Sequence, residues 1–151
     1  MNYLLDTNIL VHYIRKDEIS RRIDVDYSPF SPSNRVVVSI VSFGEIKSIA
    51  YQNGWGIKKI QLLENLLLTV LRADLTLDIV DRYAEIDSYS QGVHPTIPAF
   101  FSARNMGKND LWIAATASIL GATLLTTDAD FEHLSNIFLS VEKVNLPASG
   151  I

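Results

Sequence analysis

The chain has 151 residues, 48% of them hydrophobic and 20% charged, and a formal net charge of −4. This length and composition predict one globular domain over residues 1–151 and exclude a disordered chain. There is no cysteine, which excludes disulfide bonds and thiolate metal sites and fits a cytoplasmic protein. No apolar run is long enough to span a membrane, and Asp6 interrupts the first one, which argues against a signal peptide. Because the net charge is negative, any nucleic-acid binding would depend on local basic patches and bound metal.

Two segments in the first 40 residues have the pattern of strands. Residues 3–5 form a short apolar run, and residues 36–40 are β-branched without polar alternation, which is typical of a strand buried on both faces. Between them, apolar residues at helical spacing predict a helix over residues 8–14. The segment 15–35 is charged and then rich in serine and proline, which predicts that part of it is a loop.

The middle of the chain is predicted to be mainly helical. A helix is expected from residue 42 to about residue 52, where an Asn-Gly pair ends it. An amphipathic helix follows over residues 57–72, with a short strand near residues 73–75. Residues 78–91 are predicted to form a further helix that ends at Gly92.

The last third of the chain begins with an irregular stretch. Residues 93–108 contain two prolines and two phenylalanines, and we interpret them as a loop or broken helix. Residues 111–120 are apolar nearly all round, which indicates a buried helix, and residues 122–126 have the pattern of a buried strand. A helical turn over residues 131–136 and an edge strand over residues 138–144 complete the prediction.

The alternation of strands and helices predicts an α/β fold, a three-layer sandwich with a mostly parallel central sheet of four to five strands. The apolar strands at residues 3–5, 36–40 and 122–126 are expected at the centre of the sheet. In an open parallel sheet the carboxyl ends of the strands line one crevice, and ligands bind there.

Four acidic residues, far apart in sequence, lie where these strands give way to helices or loops: Asp6, Glu45, Asp110 and Asp128. Each has a local explanation that needs no function. Asp6 has the position of a helix N-cap, and Asp128 that of a turn residue before a helix. Glu45 follows Ser42 at the spacing of a capping box.

The third acid also has a local explanation, because Asn109 could cap the helix that follows and Asp110 would then complement the helix dipole. The coincidence of four acids at one edge of the sheet points instead to a metal site. Carboxylates that meet in one crevice repel each other unless a hard cation such as Mg²⁺ or Mn²⁺ neutralises them. Such sites support phosphodiester hydrolysis, in which Thr7 or Thr127 could orient a water or phosphate. Asp130, two residues after Asp128, competes with it as the fourth ligand.

Basic and aromatic residues near the third acid are the best candidates for contacts with a nucleic acid. Arg104 and Lys108 immediately precede Asp110 and are predicted to bind a nucleic-acid backbone. Phe100 and Phe101 are either core residues or, in a loop, residues that stack on bases or meet a partner.

Four segments of the chain resemble the PIN-domain family and, more narrowly, the VapC-type toxins of bacterial toxin–antitoxin pairs. These segments are residues 5–8, Glu45 after a strand, residues 109–117 and residues 125–131. The resemblance covers essentially the whole chain in motif order and length. It implies a Mg²⁺- or Mn²⁺-dependent endoribonuclease in which Thr7 assists four metal-binding acids: Asp6, Glu45, Asp110 and Asp128. It also implies a homodimer, an RNA target that is often transfer or ribosomal RNA, and a cognate antitoxin whose C-terminal segment lies across the toxin's helices.

Two other classes of function compete with this interpretation. Haloacid-dehalogenase-like and receiver-like phosphoryl-transfer domains also place an aspartate after an early strand. Haloacid-dehalogenase-like domains need a second aspartate where this chain has Asn8. Receiver-like domains need an acidic pair at the first strand and a late lysine. A non-catalytic module that only sequesters RNA or protein is disfavoured by the presence of all four acids.

Overall fold

The computed structural model describes residues 1–146 and contains five strands in one parallel sheet. The strands are β1 (Asn2–Leu5), β2 (Arg35–Ser39), β3 (Leu71–Ala73), β4 (Thr123–Thr126) and β5 (Ser140–Lys143). Their spatial order is β3-β2-β1-β4-β5, so the strands predicted to be central are central. The α/β prediction with a parallel sheet is therefore confirmed.

Six α-helices and one short 3₁₀ helix connect these strands. The helices are α1 (Thr7–Arg15), α2 (Glu18–Asp26), α3 (Ile40–Gln52), α4 (Ile57–Thr69), α5 (Leu77–Ser90), α6 (Lys108–Leu120) and the 3₁₀ helix (Ala129–Leu134). Among the described residues, no helix is long and apolar enough to cross a membrane.

The sheet has a hydrophobic cluster on each face, which makes the fold a three-layer sandwich. Leu4 and Leu124 pack with α5 and α6 on one face, whereas Leu5 and Leu125 pack with α1 to α4 on the other. These four side chains are fully buried. Burial on both faces explains why the strands are apolar without alternation, and each such leucine contributes roughly 1.5–3 kcal/mol.

The strand order also places a crevice at the centre of the sheet. From β1 the chain proceeds outward through β2 to β3, and it then returns to the other side of β1 as β4. The connections therefore reverse direction between β1 and β4. A crevice forms outside the carboxyl ends of strands at such a switch point. The segments that follow β1 and β4 carry Asp6 and Asp128, so both acids lie at this crevice.

The structure contains one helix that was not predicted, and several element boundaries differ from the prediction. The segment between α1 and β2, expected to be partly loop, contains α2, which Asp17 caps by accepting a hydrogen bond from the Ser20 backbone N–H at 3.1 Å. Burial of Ile19 and Ile23 holds this short helix against the sheet. α4 ends at Thr69, and β3 occupies Leu71–Ala73, two residues earlier than predicted.

Candidate active site

Asp6 is held rigidly at the end of β1. Its side chain is only 4% exposed, and both carboxylate oxygens accept hydrogen bonds: Oδ1 from the Thr7 backbone N–H at 2.8 Å, and Oδ2 from the Thr126 hydroxyl at 2.7 Å. The first bond caps α1, so Asp6 caps a helix and also faces the crevice. Burial raises the pKa of Asp6, the two hydrogen bonds oppose this rise, and the nearby carboxylates of Glu45 and Asp128 add to it.

Glu45 reaches the crevice from α3 through a contact with Thr7. The Thr7 hydroxyl donates to Glu45 Oε1 at 2.8 Å and also hydrogen-bonds to Ser42 Oγ at 2.9 Å. The capping-box interpretation of Ser42 and Glu45 is wrong, because α3 begins at Ile40 and Ser39 caps it. Both residues lie inside the helix, where a spacing of three residues places them on one face, towards α1.

Asp110 lies in the first turn of α6, but Asn109 is not the cap of this helix. The N-cap is Gly107, which makes no side-chain capping bond. One carboxylate oxygen of Asp110 lies within 4.8 Å of oxygens from Asp128 and Asp130. Burial raises the pKa of Asp110 to about 7, with further contributions from the charges of the other acids, that of Asp6 first. The two acids from β1 and α6 therefore lie in one electrostatic cluster.

The structure distinguishes the two acids that follow β4. Asp128 is partly buried, caps the 3₁₀ helix through the Asp130 backbone N–H at 2.9 Å, and raises the pKa of both Asp6 and Asp110. Asp130 is exposed, and its charge makes the smallest of the four carboxylate contributions to the raised pKa of Asp110. Asp128 is thus the deeper acid of the pair, and Asp130 lies at the rim of the cluster.

Thr126 is a site residue that the sequence did not single out. Its hydroxyl donates to Asp6, accepts a hydrogen bond from the Asp128 backbone N–H at 3.0 Å, and is fully buried. It therefore ties the acid after β1 to the acid after β4. A polar residue at the end of an otherwise apolar strand could have identified Thr126 from the sequence. Thr127 fits the same pattern, so the pattern alone does not choose between the two threonines.

The donor set fits a hard divalent cation. Every candidate ligand is a carboxylate oxygen, and such oxygens are the ligands that Mg²⁺ and Mn²⁺ prefer. Burial is the largest cause of the raised pKa of Asp110, and the repulsion by neighbouring carboxylates that adds to it is the charge imbalance that a cation would relieve. The carboxylates whose oxygens approach within 4.8 Å of one another are those of Asp110, Asp128 and Asp130, whereas Asp6 and Glu45 are not part of that group.

A groove of about 630 Å³ opens beside the acids, between α3 and α6. Its lining includes Glu45 and Ser48 from α3 and Asn109 and Trp112 from α6. Because Glu45 belongs both to the groove and to the acidic cluster, an extended ligand lying in the groove would pass the acids.

The two cations predicted to bind RNA are both exposed near this edge of the sheet. Lys108 is the first residue of α6, two residues before Asp110. Arg104 lies in the preceding loop, with its guanidinium 6.0 Å from the centre of the Phe101 ring. The three histidines are partly buried, and each makes a hydrogen bond within the protein.

A comparison with protein-family models matches residues 3–137 to the PIN domain. The chain belongs to the PIN-domain family. No curated protein sequence matches this PIN domain. The expectation of a PIN-like fold is therefore confirmed by the family match.

Solved structures of VapBC proteins share the fold of this PIN domain. VapBC-1 from nontypeable Haemophilus influenzae has 26% identity and a TM-score of 0.69, with 95% of this chain and 98% of that chain covered. VapBC2 from Rickettsia felis, bound to a promoter DNA fragment, has 22% identity and a TM-score of 0.72 at the same coverage. VapC20 from Mycobacterium tuberculosis, a toxin that cleaves the sarcin–ricin loop, has 14% identity and a TM-score of 0.62, with 91% and 98% covered. This PIN domain thus has the fold of VapC-like toxins.

Proposed function

We propose that this PIN domain is a Mg²⁺- or Mn²⁺-dependent endoribonuclease and the toxin of a toxin–antitoxin pair. The observation that carries the proposal is the convergence of carboxylates from β1, α3, α6 and the segment after β4 at one crevice beside an open groove. The PIN family includes nucleases, and the family match makes a phosphodiesterase the favoured use of such a site over a phosphoryl-transfer domain.

The residues of the chain have distinct tasks in this proposal. Asp6, Glu45, Asp110 and Asp128 hold the metal, with Asp130 as an outer ligand. When bound, the metal lowers the pKa of a water molecule and stabilises charge on the scissile phosphate.

The hydrogen bonds around the acids fix their orientation. Thr126 holds Asp6 in one rotamer by its bond to Oδ2, and Thr7 holds Glu45 by its bond to Oε1. Because Asp110 has a pKa of about 7, it carries a proton in part of the molecules at neutral pH and must release it to act as a ligand. Metal binding by this site is therefore expected to strengthen as the pH rises through 7.

Two exposed apolar surfaces are candidates for contacts with protein partners. Tyr51, Ile57 and Leu68 are 88%, 79% and 84% exposed on α3 and α4, next to a groove of about 390 Å³ that includes Trp55. We assign this surface to the C-terminal segment of a cognate antitoxin. Leu71 on β3 and Leu77 on α5 are also exposed, and we assign that region to a homodimer contact.

The test is RNA cleavage by purified protein with transfer and ribosomal RNA as substrates. Wild-type protein should cleave RNA in the presence of Mn²⁺, and EDTA should abolish this cleavage. Asp6→Asn should retain its fold, because asparagine is an equally good N-cap, and should lose cleavage. The matched control is Asp81→Asn, which removes an exposed acid of α5 far from the cluster in sequence. Unchanged metal-dependent cleavage by Asp6→Asn would refute the proposed site.

A further inference from the structure

The connection between α5 and α6, residues 91–107, is irregular in backbone but attached to the rest of the protein at several points. The Arg104 backbone N–H donates to the Ser90 carbonyl at 2.7 Å. Near the start of the loop, His94 Nδ1 accepts hydrogen bonds from the Thr96 and Ile97 backbone N–H groups at 3.2 and 3.0 Å. The loop therefore has a defined path over the end of α5.

The two adjacent phenylalanines of this loop have opposite environments. Phe101 is half-buried, with its ring edge-on to Tyr89 at 5.3 Å and to His133 at 5.1 Å between centroids. Phe100 is 93% exposed. Phe101 is thus a packing residue that anchors the loop, whereas the Phe100 ring has both faces available to solvent.

The anchor of Phe101 also connects the loop to the acidic cluster. His133 belongs to the 3₁₀ helix that Asp128 caps and that contains Asp130. Its Nε2 hydrogen-bonds to Ser90 Oγ at 2.7 Å, so this helix and the end of α5 are joined directly. Burial and the nearby Arg104 cation lower the pKa of His133 while Asp130 opposes them, which places both charges near the same imidazole. Packing therefore joins the loop that carries Phe100 to the 3₁₀ helix that contains Asp130.

We propose that Phe100 is a stacking platform for an unpaired base of the RNA strand whose phosphate enters the acidic cluster. Arg104 and Lys108 contact neighbouring phosphates of the same strand. This inference rests on the proposed ribonuclease function and deepens it by naming a residue outside the acidic cluster that contacts a base of the substrate. An aromatic ring stacks on any base, whereas a paired base keeps its faces inside the duplex.

The surroundings of Phe100 favour a base over an apolar protein segment. Within residues 91–107 the only other large apolar side chain that is strongly exposed is Val93, at 69%. A protein-docking surface is a contiguous apolar patch, such as the one on α3 and α4. A lone exposed ring followed by two exposed cations instead matches the pattern of single-strand binding, in which aromatic rings alternate with a basic track.

The experiment measures binding and is independent of cleavage. An Asp110→Asn background with Mg²⁺ removes turnover, and the probe is a 12-nucleotide oligouridine with a central 2-aminopurine, whose fluorescence falls on stacking. In this background we expect Phe100→Ala to weaken binding about tenfold, the effect of losing one base–aromatic stack, and to abolish the quenching. Phe100→Trp should retain both. Val93→Ala is the matched control, and it should leave both unchanged.

Phe100→Leu separates stacking from apolar contact, because it keeps the hydrophobic volume and removes the ring. Affinity and quenching retained by Phe100→Leu, or unchanged in Phe100→Ala, would overturn the inference while leaving the ribonuclease proposal intact. Equal binding of the oligonucleotide and of the same probe annealed to its complement would also overturn it. No binding of any RNA by the Asp110→Asn background, together with no cleavage by wild type, would overturn both.

Discussion

Replacing Asp110 by asparagine should stabilise the protein in the absence of metal, although it removes a residue of the proposed site. Burial and four nearby carboxylates raise the pKa of Asp110 to about 7 from an ordinary value of 3.8. The unfolded chain ionises this group near pH 4, whereas the folded chain keeps it protonated until about pH 7. The stability of the metal-free protein therefore falls as the pH rises from about 4 to 7, because the folded state binds the extra proton.

The size of this effect follows from the same pKa difference. One pKa unit corresponds to about 1.4 kcal/mol, so the difference between 3.8 and about 7 sets an upper limit of about 4 kcal/mol. Asp110 is partly exposed, and water screens its charge, which reduces the expected effect to about 2 kcal/mol. Loss of a favourable charge at the start of α6 costs about 0.5 kcal/mol. The net gain for Asp110→Asn at pH 8 is then about 1–2 kcal/mol, or roughly 2–8 °C in Tm.

The assay is thermal unfolding of both proteins at pH 4.5 and pH 8, in EDTA and in saturating Mn²⁺. In EDTA, Asp110→Asn should melt higher than wild type at pH 8, and the two should nearly coincide at pH 4.5. In Mn²⁺ at pH 8 the order should reverse, since a ligand bound at 100 times its Kd stabilises wild type by about 2.7 kcal/mol. A metal-free variant that melts lower than wild type at pH 8 would refute the account of repulsion among the acids.

The hydrogen bonds around the acids and the proposed phosphate contact give three further predictions. Thr126→Val should destabilise the protein by about 1–3 kcal/mol in denaturant titrations, because the buried Asp6 carboxylate loses its hydrogen-bond donor. Thr126→Ser keeps the hydroxyl and should recover most of the lost stability. Equal stability of Thr126→Val and wild type would contradict this role. Thr7→Ala should lower kcat for RNA cleavage roughly 10- to 100-fold, because Glu45 loses its orienting hydrogen bond. Thr7→Ser keeps the hydroxyl and should retain activity. Identical cleavage rates for the two variants would argue against a positioning role of this hydroxyl. Lys108→Ala should weaken RNA binding and reduce the slope of log K against log salt by about 0.7, and an unchanged slope would show that this lysine contacts no phosphate.

The sheet and the convergence of the acids could be predicted because they depend on local patterns. Apolar segments without alternation identified β1, β2 and β4 as central strands, and their carboxyl ends had to meet at one edge. Asp6 illustrates the limit of this reasoning. Its position after a strand predicted both a helix cap and a site residue; the structure shows the cap, and the site role is the one that we propose for the same carboxylate.

The sequence misled, or left two alternatives open, where tertiary contacts decide the outcome. The spacing of Ser42 and Glu45 matches a capping box, but the burial of β2 as far as Ser39 moves the start of α3 back, so both side chains contact Thr7. Phe100 and Phe101 have identical side chains at adjacent positions. Only the packing of α5 against the 3₁₀ helix determines which of the two is buried.

The hydrogen bond between Thr126 and Asp6 joins residues 120 positions apart in the chain. β1 precedes the other four strands in sequence and has β4 as one of its two neighbours, so β1 is fully paired only once residues 123–126 are available. A nascent chain that ends before α6 carries Asp6 and Glu45 but lacks the acids that follow. The acidic cluster therefore assembles only after α6 and β4 have followed α1 and α3 out of the ribosome.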